Sequence, residues 1–323
     1  MGYSREVYDR ANGELARRRQ TAQREADARR ARVIEKQPAV LDCEKRMRES
    51  VGKVARAVLA GGNAEKTLAV IRAENEQAQK DLAACIAAAG EQGTDFSPVY
   101  TCPLCSDTGR VGNKPCTCLN ELLARYACEA LSASLKMSLS SFEEMDLSYY
   151  KDDVRAHMES ILAFCRDYTA QFSTHNDSLL MSGPTGTGKT HTALAIARGV
   201  TEQGFAVVYG PVPSLLRKLE REHFGKAEGD TQETLLTCDL LVLDDLGTEM
   251  STSFTNACLY DILNGRMLSG LPTIISTNLS AGELNDRYGA AITSRINGTF
   301  EPLMFAGEDI RQAKLERRLA GQL

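Results

Sequence analysis

The sequence predicts an α/β fold with a five-stranded parallel sheet, preceded by a helical arm and a small cysteine-rich module. Three observations carry this expectation. From Ser141 onward, short apolar runs alternate with helical segments, as in a parallel sheet with crossover helices. Within that region a glycine-rich turn, Gly183-Pro184-Thr185-Gly186-Thr187-Gly188-Lys189-Thr190, separates an apolar strand from a helix. Before it lies a stretch rich in Ala, Arg, Glu and Gln with almost no β-branched pattern, and then four cysteines crowded into 102–118.

In chain order, Val7, Ala11 and Leu15 recur at four-residue steps, followed by Ala22 and Ala26, with charges between them. This is helical periodicity. Pro38 and Gly61-Gly62 divide the stretch into helices over roughly 4–35, 39–60 and 63–89. The apolar stripe is thin and alanine-heavy, which suits a helical hairpin or coiled coil and makes a poor independent core. A partner-binding arm over 1–92 is therefore expected, with a solvated spacer as the alternative. Gly93 to Pro98 reads as a linker opening a second domain, 93–140, which ends in a helix over about 119–137. The third domain is 141–323.

Cys102-Pro-Leu-Cys105 and Cys116-Thr-Cys118 are separated by ten residues that include Asp107, Gly109, Gly112 and Pro115. Four thiolates at this spacing, joined by a glycine-rich turn, can close a tetrahedral Zn²⁺ site, although the C-x-C arm is tighter than the usual C-x₂-C. An iron–sulfur cluster also takes four thiolates, but nothing nearby suggests electron transfer. No His or acid offers itself as an open-site ligand, so the expected zinc is structural. Cys43, Cys85, Cys128, Cys165, Cys238 and Cys258 stand singly and are expected to be small buried hydrophobes.

Strands of the third domain are expected near 178–182, 205–209, 240–244, 273–277 and 302–305. The turn at 183–190 fits the G-x-x-x-x-G-K-[ST] phosphate loop, with Leu179-Leu180-Met181 leading in and His191 to Ala197 leading out. Its glycines let successive N–H groups converge at a helix N-terminus, making an anion nest. Lys189 would reach the β- and γ-phosphates of a nucleoside triphosphate, and the Thr190 hydroxyl would hold Mg²⁺. Leu240-Leu241-Val242-Leu243-Asp244-Asp245 is a buried strand ending in two carboxylates, the Walker B pattern. Asp244 would complete the Mg²⁺ shell, and Asp245 would orient or deprotonate the attacking water. Thr273-Ile274-Ile275-Ser276-Thr277-Asn278 is a further strand whose terminal amide could polarise the same water. Arg295 and Arg311 follow; either guanidinium could stabilise phosphoryl charge, one in cis and one from a neighbouring subunit. Taken alone, each also reads as a surface ion pair.

Phosphate loop, Asp-Asp strand, Thr-Asn strand, Thr293-Ser294-Arg295-Ile296 and Gly307-Glu308-Asp309-Ile310-Arg311 together resemble the AAA+ ATPases. The runs Asp-Asp-Leu-Gly-Thr-Glu at 244–249 and Ile-Ser-Thr-Asn-Leu-Ser at 275–280 are particularly similar to the DnaC/IstB-like group. The resemblance covers about 141–315. It implies ATP with Mg²⁺ as cofactors, Asn278 as sensor 1, Arg295 as an arginine finger acting in trans on a self-associated copy, and Arg311 as the sensor 2 arginine. Arg287, eight residues before Arg295, competes with it for the finger role. Many AAA+ proteins have Glu where Asp245 stands, and the shorter side chain implies slow, regulatory hydrolysis. An arginine-rich arm followed by a four-cysteine module resembles the bacterial replicative helicase loaders of the DnaC/DnaI type. In those proteins the N-terminal region grips the hexameric helicase and the ATPase domain binds single-stranded DNA.

Arg217, Lys218, Arg221, Phe224 and Lys226, with His223, mix cations and an aromatic between the second and third strands, which is the makings of a single-strand groove. An ordinary amphipathic crossover helix is the competing reading, since Glu220 and Glu222 cancel part of the charge. The net charge of −5 argues against a protein coated in nucleic acid and restricts any such contact to local patches. Residues 1–35 carry nine arginines against six acids. Apolar and charged contents of 43% and 25% are ordinary for a globular protein. No apolar run approaches the ~20 residues of a membrane span and the start of the chain lacks an apolar signal core, so a cytoplasmic protein is expected. The function expected is loading of a replicative helicase onto single-stranded DNA. The alternatives are an IstB-like transposition helper on duplex DNA and a nucleotide-switched scaffold without a DNA role.

Overall fold

The computed structural model describes residues 3–319 apart from 61–63, 92, 94, 136–139 and 228. The expected Gly61-Gly62 break and the last residues of the expected helix to 137 lie outside the described residues. The chain forms two compact units: Asn12–Leu119, and Met1–Ala11 together with Asn120–Leu323. The boundaries expected at 92 and 140 do not coincide with this division.

The first unit is built from three helices, α1 (Arg5–Lys36) from Asn12 onward, α2 (Val40–Ala60) and α3 (Ala64–Ala88). The ion pairs Arg46–Asp81 and Lys53–Glu74, at 2.7 and 2.6 Å, run in opposite directions along α2 and α3, so these two form an antiparallel hairpin. Its apolar core is small: Val33, Val40, Cys43, Leu82, Ile86 and Ala89 are buried, with Ile34, Met47, Cys85 and Phe96 at the edge. Charge supplements it, through Arg30–Glu44 at 2.6 Å and Arg32–Glu91 at 2.8 Å. Such half-exposed pairs each contribute little, because water and salt screen them. The cysteine turn carries a two-stranded ribbon, β1 (Arg110–Val111) paired with β2 (Lys114–Pro115).

The second unit holds α4 (Thr117–Ser134) from Asn120 onward, and then an α/β domain. Its elements are α5 (Asp152–Ala170), β3 (Ser178–Ser182), α6 (Lys189–Glu202), β4 (Val207–Pro211), α7 (Val212–His223) and α8 (Thr231–Thr237). There follow β5 (Leu240–Leu246), α9 (Ser253–Ser269), β6 (Thr273–Thr277), α10 (Ala281–Thr299), β7 (Phe300–Met304) and α11 (Ile310–Leu319). Capping boxes start α9 at Thr252 and α10 at Ser280. The five strands are all parallel in the order β4-β5-β6-β3-β7.

Period-2 alternation sends Leu180, Val208, Leu241, Leu243 and Ile275 into one layer with α4, α7, α8, α9 and α10. It sends Leu179, Met181, Val207, Leu240, Val242 and Ile274 into the other, against α5 and α6. Three strands lie where the sequence predicts them, and the two edge strands are shifted. β4 begins at Val207 rather than 205, because Phe205 instead turns its ring edge-on to Phe172 at 4.9 Å and Ala206 N donates to Asp239 Oδ2 at 2.7 Å. It continues through Pro211, and β7 contains Pro302; an edge position tolerates the missing donor of proline. Of the six scattered cysteines, Cys43, Cys128, Cys165 and Cys238 are buried while Cys85 and Cys258 are half-buried. Among the described residues, no helix is long and apolar enough to cross a membrane.

Arg266 on α9 is fully buried and ties the end of α8 and the start of β6 to its own helix. It donates to the carbonyls of Leu235 and Cys238 at 2.8 and 2.9 Å, to Pro272 O at 2.7 Å and to Thr273 Oγ1 at 2.9 Å. Truncation would strip those buried acceptors of their guanidinium donor. Arg266→Ala should therefore destabilise the α/β domain by at least about 3 kcal/mol in urea denaturation, and a loss under about 1 kcal/mol would contradict this account.

Candidate nucleotide site and cysteine cluster

Parallel strands bring their C-terminal ends to one edge of the sheet, and the candidate site is assembled there. The loop after β3 runs into α6 and turns tightly between two other segments. Gly183 adopts φ +142°, and a Cβ at this position would lie 2.1 Å from Phe305 O. Gly186 adopts φ +80°, and a Cβ there would strike the Asp309 carboxylate at 2.0 Å. Only glycine fits either place. Ile310 N donates to Gly186 O at 3.1 Å, so the start of α11 is stitched to the loop. On the other side Tyr150 OH, pushed up to about 12 by burial, donates to Thr187 O at 3.0 Å.

A cleft of about 390 Å³ opens over this loop. Thr185, Gly186, Gly188, Lys189, Thr190, Asp245, Asn278 and Arg311 line its polar side. Its other wall includes Met145, Tyr150, Leu194 and Ile310, apolar surface suited to a base. Lys189 Nζ is held by Gly183 O and Pro184 O, both at 2.7 Å. Burial lowers the pKa of this ammonium; Asp245 and Asp244 oppose that shift and Arg311 adds to it. Asp245 is displaced the other way. Burial and then the Asp244 charge raise its pKa, against Lys189 and Arg311. Its backbone is left-handed at φ +55°, a conformation a non-glycine residue holds at some cost and one typical of functional sites.

Asp244 is 2% exposed and does not line the cleft directly. Its Oδ1 accepts from Thr190 Oγ1 at 3.1 Å and from Ser276 Oγ at 2.5 Å, and its Oδ2 accepts from Tyr209 OH at 2.9 Å. A hydroxyl and a carboxylate oxygen side by side form a hard-oxygen donor set of the kind Mg²⁺ takes. The geometry brings Thr190 and Asp244 together as their motifs require.

Two arginines take different places. Arg311 lines the cleft of its own chain. Arg295 does not: its Nη2 donates to Tyr260 OH at 2.8 Å, its Nε to Asn264 Oδ1 at 3.0 Å, and its guanidinium lies 4.7 Å over the Tyr260 ring. Arg287, the competing arginine, pairs with Glu249 at 3.3 Å.

The basic segment is an amphipathic helix with Val212, Leu215, Leu216 and Leu219 buried. Arg217, Arg221, Phe224 and Lys226 stay exposed, whereas Lys218 turns to a different side, 4.0 Å from Glu222. The Phe224 ring, 59% exposed, sits 5.0 Å from His223 and 5.9 Å from Phe254.

The four clustered cysteines are all buried, with Sγ atoms within 4.8 Å of one another, and two of the contacts measure 3.7 and 3.4 Å. A zinc tetrahedron with bonds of about 2.3 Å has S–S edges of about 3.8 Å, so the four thiols suit such an ion. The buried Asp107 carboxylate holds the turn by accepting from Cys102 N and Thr101 N, both at 2.8 Å. Burial opposes ionisation of Cys105, but the Gly109 N–H and the neighbouring thiols outweigh it and hold this thiol at about 6. Among the described residues this is the one group of three or more His, Cys, Asp or Glu side chains able to hold a metal.

Sequence reasoning did not find Tyr209, Ser276 or Tyr150. Ser276 lay inside a recognised run, but its hydroxyl had no assigned partner. Tyr209 and Tyr150 carry no motif; their contacts, with Asp244 and Thr187, exist only once strands and loops are assembled.

The sequence profile of the IstB-like ATP binding protein family matches residues 124–306. Residues of this chain are 26% identical over 149 positions to the replicative helicase loader DnaC of Escherichia coli (strain K12), covering 46% of this chain and 60% of that protein. They are 28% identical over 151 positions to the replicative helicase loader DnaI of Bacillus subtilis (strain 168), covering 46% and 47%. An insertion-sequence ATP-binding protein of Mycobacterium tuberculosis is 24% identical over 205 positions, covering 59% and 78%. The chain thus spans less than two thirds of the length of the two loaders it matches. With more than half of its length matched and a phosphate loop facing an Asp-Asp strand in one cleft, the chain belongs to the IstB-like ATP binding protein family.

Proposed function

We propose that this protein is an ATP-regulated loader that places a hexameric replicative helicase on single-stranded DNA. One observation carries the reading: the ATPase is preceded in the chain by a unit, Asn12–Leu119, made of a helical hairpin and a four-cysteine turn, whose described residues do not line the nucleotide cleft. Such a unit suits gripping a partner, with residues 1–92 as the arm and the cysteines holding a structural zinc. The similarity to DnaC and DnaI supplies the partner class. Transposition help is the second reading, favoured by the M. tuberculosis relative, 78% of which is covered.

In this reading Gly183 to Thr190 cradle the phosphates, with Lys189 exchanging its carbonyl partners for phosphate oxygens. Thr190 and Asp244 would hold Mg²⁺, which when bound neutralises phosphate charge. Asp245 accepts the proton of the attacking water, and its raised pKa makes it a better base than a free carboxylate. Asn278 orients that water. Arg311 stabilises charge from the same chain, while Arg295 serves a neighbouring copy. Hydrolysis is slow, because Asp245 is one methylene shorter than glutamate. Arg217, Arg221, Phe224 and Lys226 offer exposed cations and a ring to a single strand, and Lys218 joins them if it leaves Glu222. The protein acts in the cytoplasm.

Three outcomes follow. Lys189→Ala should abolish binding of a fluorescent ATP analogue, and unchanged affinity would refute the site assignment. Protein purified anaerobically should carry about one zinc per chain by elemental mass spectrometry, lost in Cys102→Ser/Cys116→Ser; a metal-free product would remove the zinc module. The intact chain should retain a hexameric replicative helicase on an affinity column, and a chain lacking residues 1–119 that still binds ATP should not. Absence of retention with both ATP and ADP would overturn the loader reading, and retention of a transposase instead would favour the second.

A further inference from the structure

Glu249 lies four residues beyond Asp245, outside the nucleotide cleft, and its side chain is 4% exposed. A buried carboxylate needs partners, and three residues provide them. Gly247 N donates to Oε2 at 3.0 Å, closing a tight turn directly after the Walker B strand. Tyr288 OH donates to Oε1, and Arg287 Nε approaches the same oxygen at 3.3 Å. Arg287 Nη2 also donates to the Glu249 carbonyl. The other end of the turn is equally tied: Thr248 Oγ1 donates to Asp245 O at 2.8 Å and Asp245 N to Ser276 Oγ at 2.9 Å. The segment 245–249 is therefore a short, doubly anchored link from the acidic end of β5 to α10.

What it reaches on α10 matters. Tyr288 is the last residue before Gly289, where α10 breaks at φ 76°, ψ 168°. The portion after the break carries Arg295, one turn beyond Ile292, and both Ile292 and Ile296 are packed in the core beside Tyr288 and Leu246. Fixing Tyr288 and Arg287 fixes the angle at which the rest of α10 leaves the break, and so the place where Arg295 is presented.

We propose that Glu249 is a positioning residue for Arg295: it clamps the kinked helix α10 to the Walker B strand of its own chain so that Arg295 is held in register for the nucleotide of a neighbouring copy. This rests on the reading that Arg295 acts in trans. The clamp is a carboxylate shared by a tyrosine and an arginine, so it is sensitive to loss of one hydroxyl as well as to loss of charge.

Mixing full-length variants separates the two claims. An acceptor, Arg295→Ala, keeps its own nucleotide residues; a donor, Lys189→Ala, keeps Arg295. ATP turnover by the mixture above that of each variant alone reports Arg295 acting between chains, and its absence defeats the trans reading and the clamp with it. Given rescue, a donor that also carries Glu249→Gln, or the milder Tyr288→Phe, should rescue about tenfold less. The same changes placed in the acceptor should alter KM for ATP and rescue by no more than about twofold. Equal rescue by donors with and without the substitutions overturns the clamp while leaving the trans reading intact. Equal loss from either side also overturns it, since a residue acting only through stability would weaken both. Tyr288→Phe removes a single oxygen and keeps the Arg287 pair, so it answers the question if Glu249→Gln fails to fold.

Discussion

Placing the carboxylate of Asp244 inside the sheet, away from water, would cost several kcal/mol if nothing met it. Three hydroxyls meet it, from Thr190 on α6, Tyr209 on β4 and Ser276 on β6. Each comes from a different element, and each can arrive only if β4, β5 and β6 are parallel and in the observed register, with Pro211 beside Asp244. The position of the phosphate loop against the sheet depends on the same contact, because Thr190 is its last residue. A parallel sheet thus gathers its strand ends, and one buried charge fixes how they are gathered.

The cleft above is organised by the opposition of charges. Lys189 is buried and Asp245 half-buried, and burial pushes each toward neutrality, while each holds the other toward its charged form. Arg311 leans on both from the start of α11. The loop itself is closed in by Asp309 over Gly186 and Phe305 beside Gly183, which restricts the arrangements open to its backbone amides. Preorganisation of this kind lowers the cost of ordering on binding.

Much of the architecture was legible in the residues because its signals are local. β3, β5 and β6 are central or inner strands with unbroken apolar runs, and they lie at the predicted places. The edge strands β4 and β7 moved by about two residues, since an edge has one ladder fewer to define its ends and accepts proline. The three arm helices follow from alanine spacing and Pro38. The cysteines converge as their spacing implied, but the sequence held no sign that Asp107 would hold the turn. The partition of the chain was less legible. Composition changes at 92 and 140, whereas packing groups the start of α1 up to Ala11 and α4 from Asn120 with the sheet. The Arg10–Glu129 pair at 2.7 Å joins residues more than a hundred positions apart, which no composition window can register.

Contiguous residues wrote the chemistry: a phosphate loop, an Asp-Asp strand end and four thiols each work through neighbours a few positions apart, so spacing alone specifies them. Whether Arg311 enters its own cleft while Arg295 rests on Tyr260 was not written that way. Nor was the meeting of Tyr209 with Asp244, or of Glu249 with Tyr288 across 39 residues. Those outcomes depend on helix kinks, strand order and the burial of unlike charges, which are properties of the packed domain rather than of any segment, and folding alone sets them.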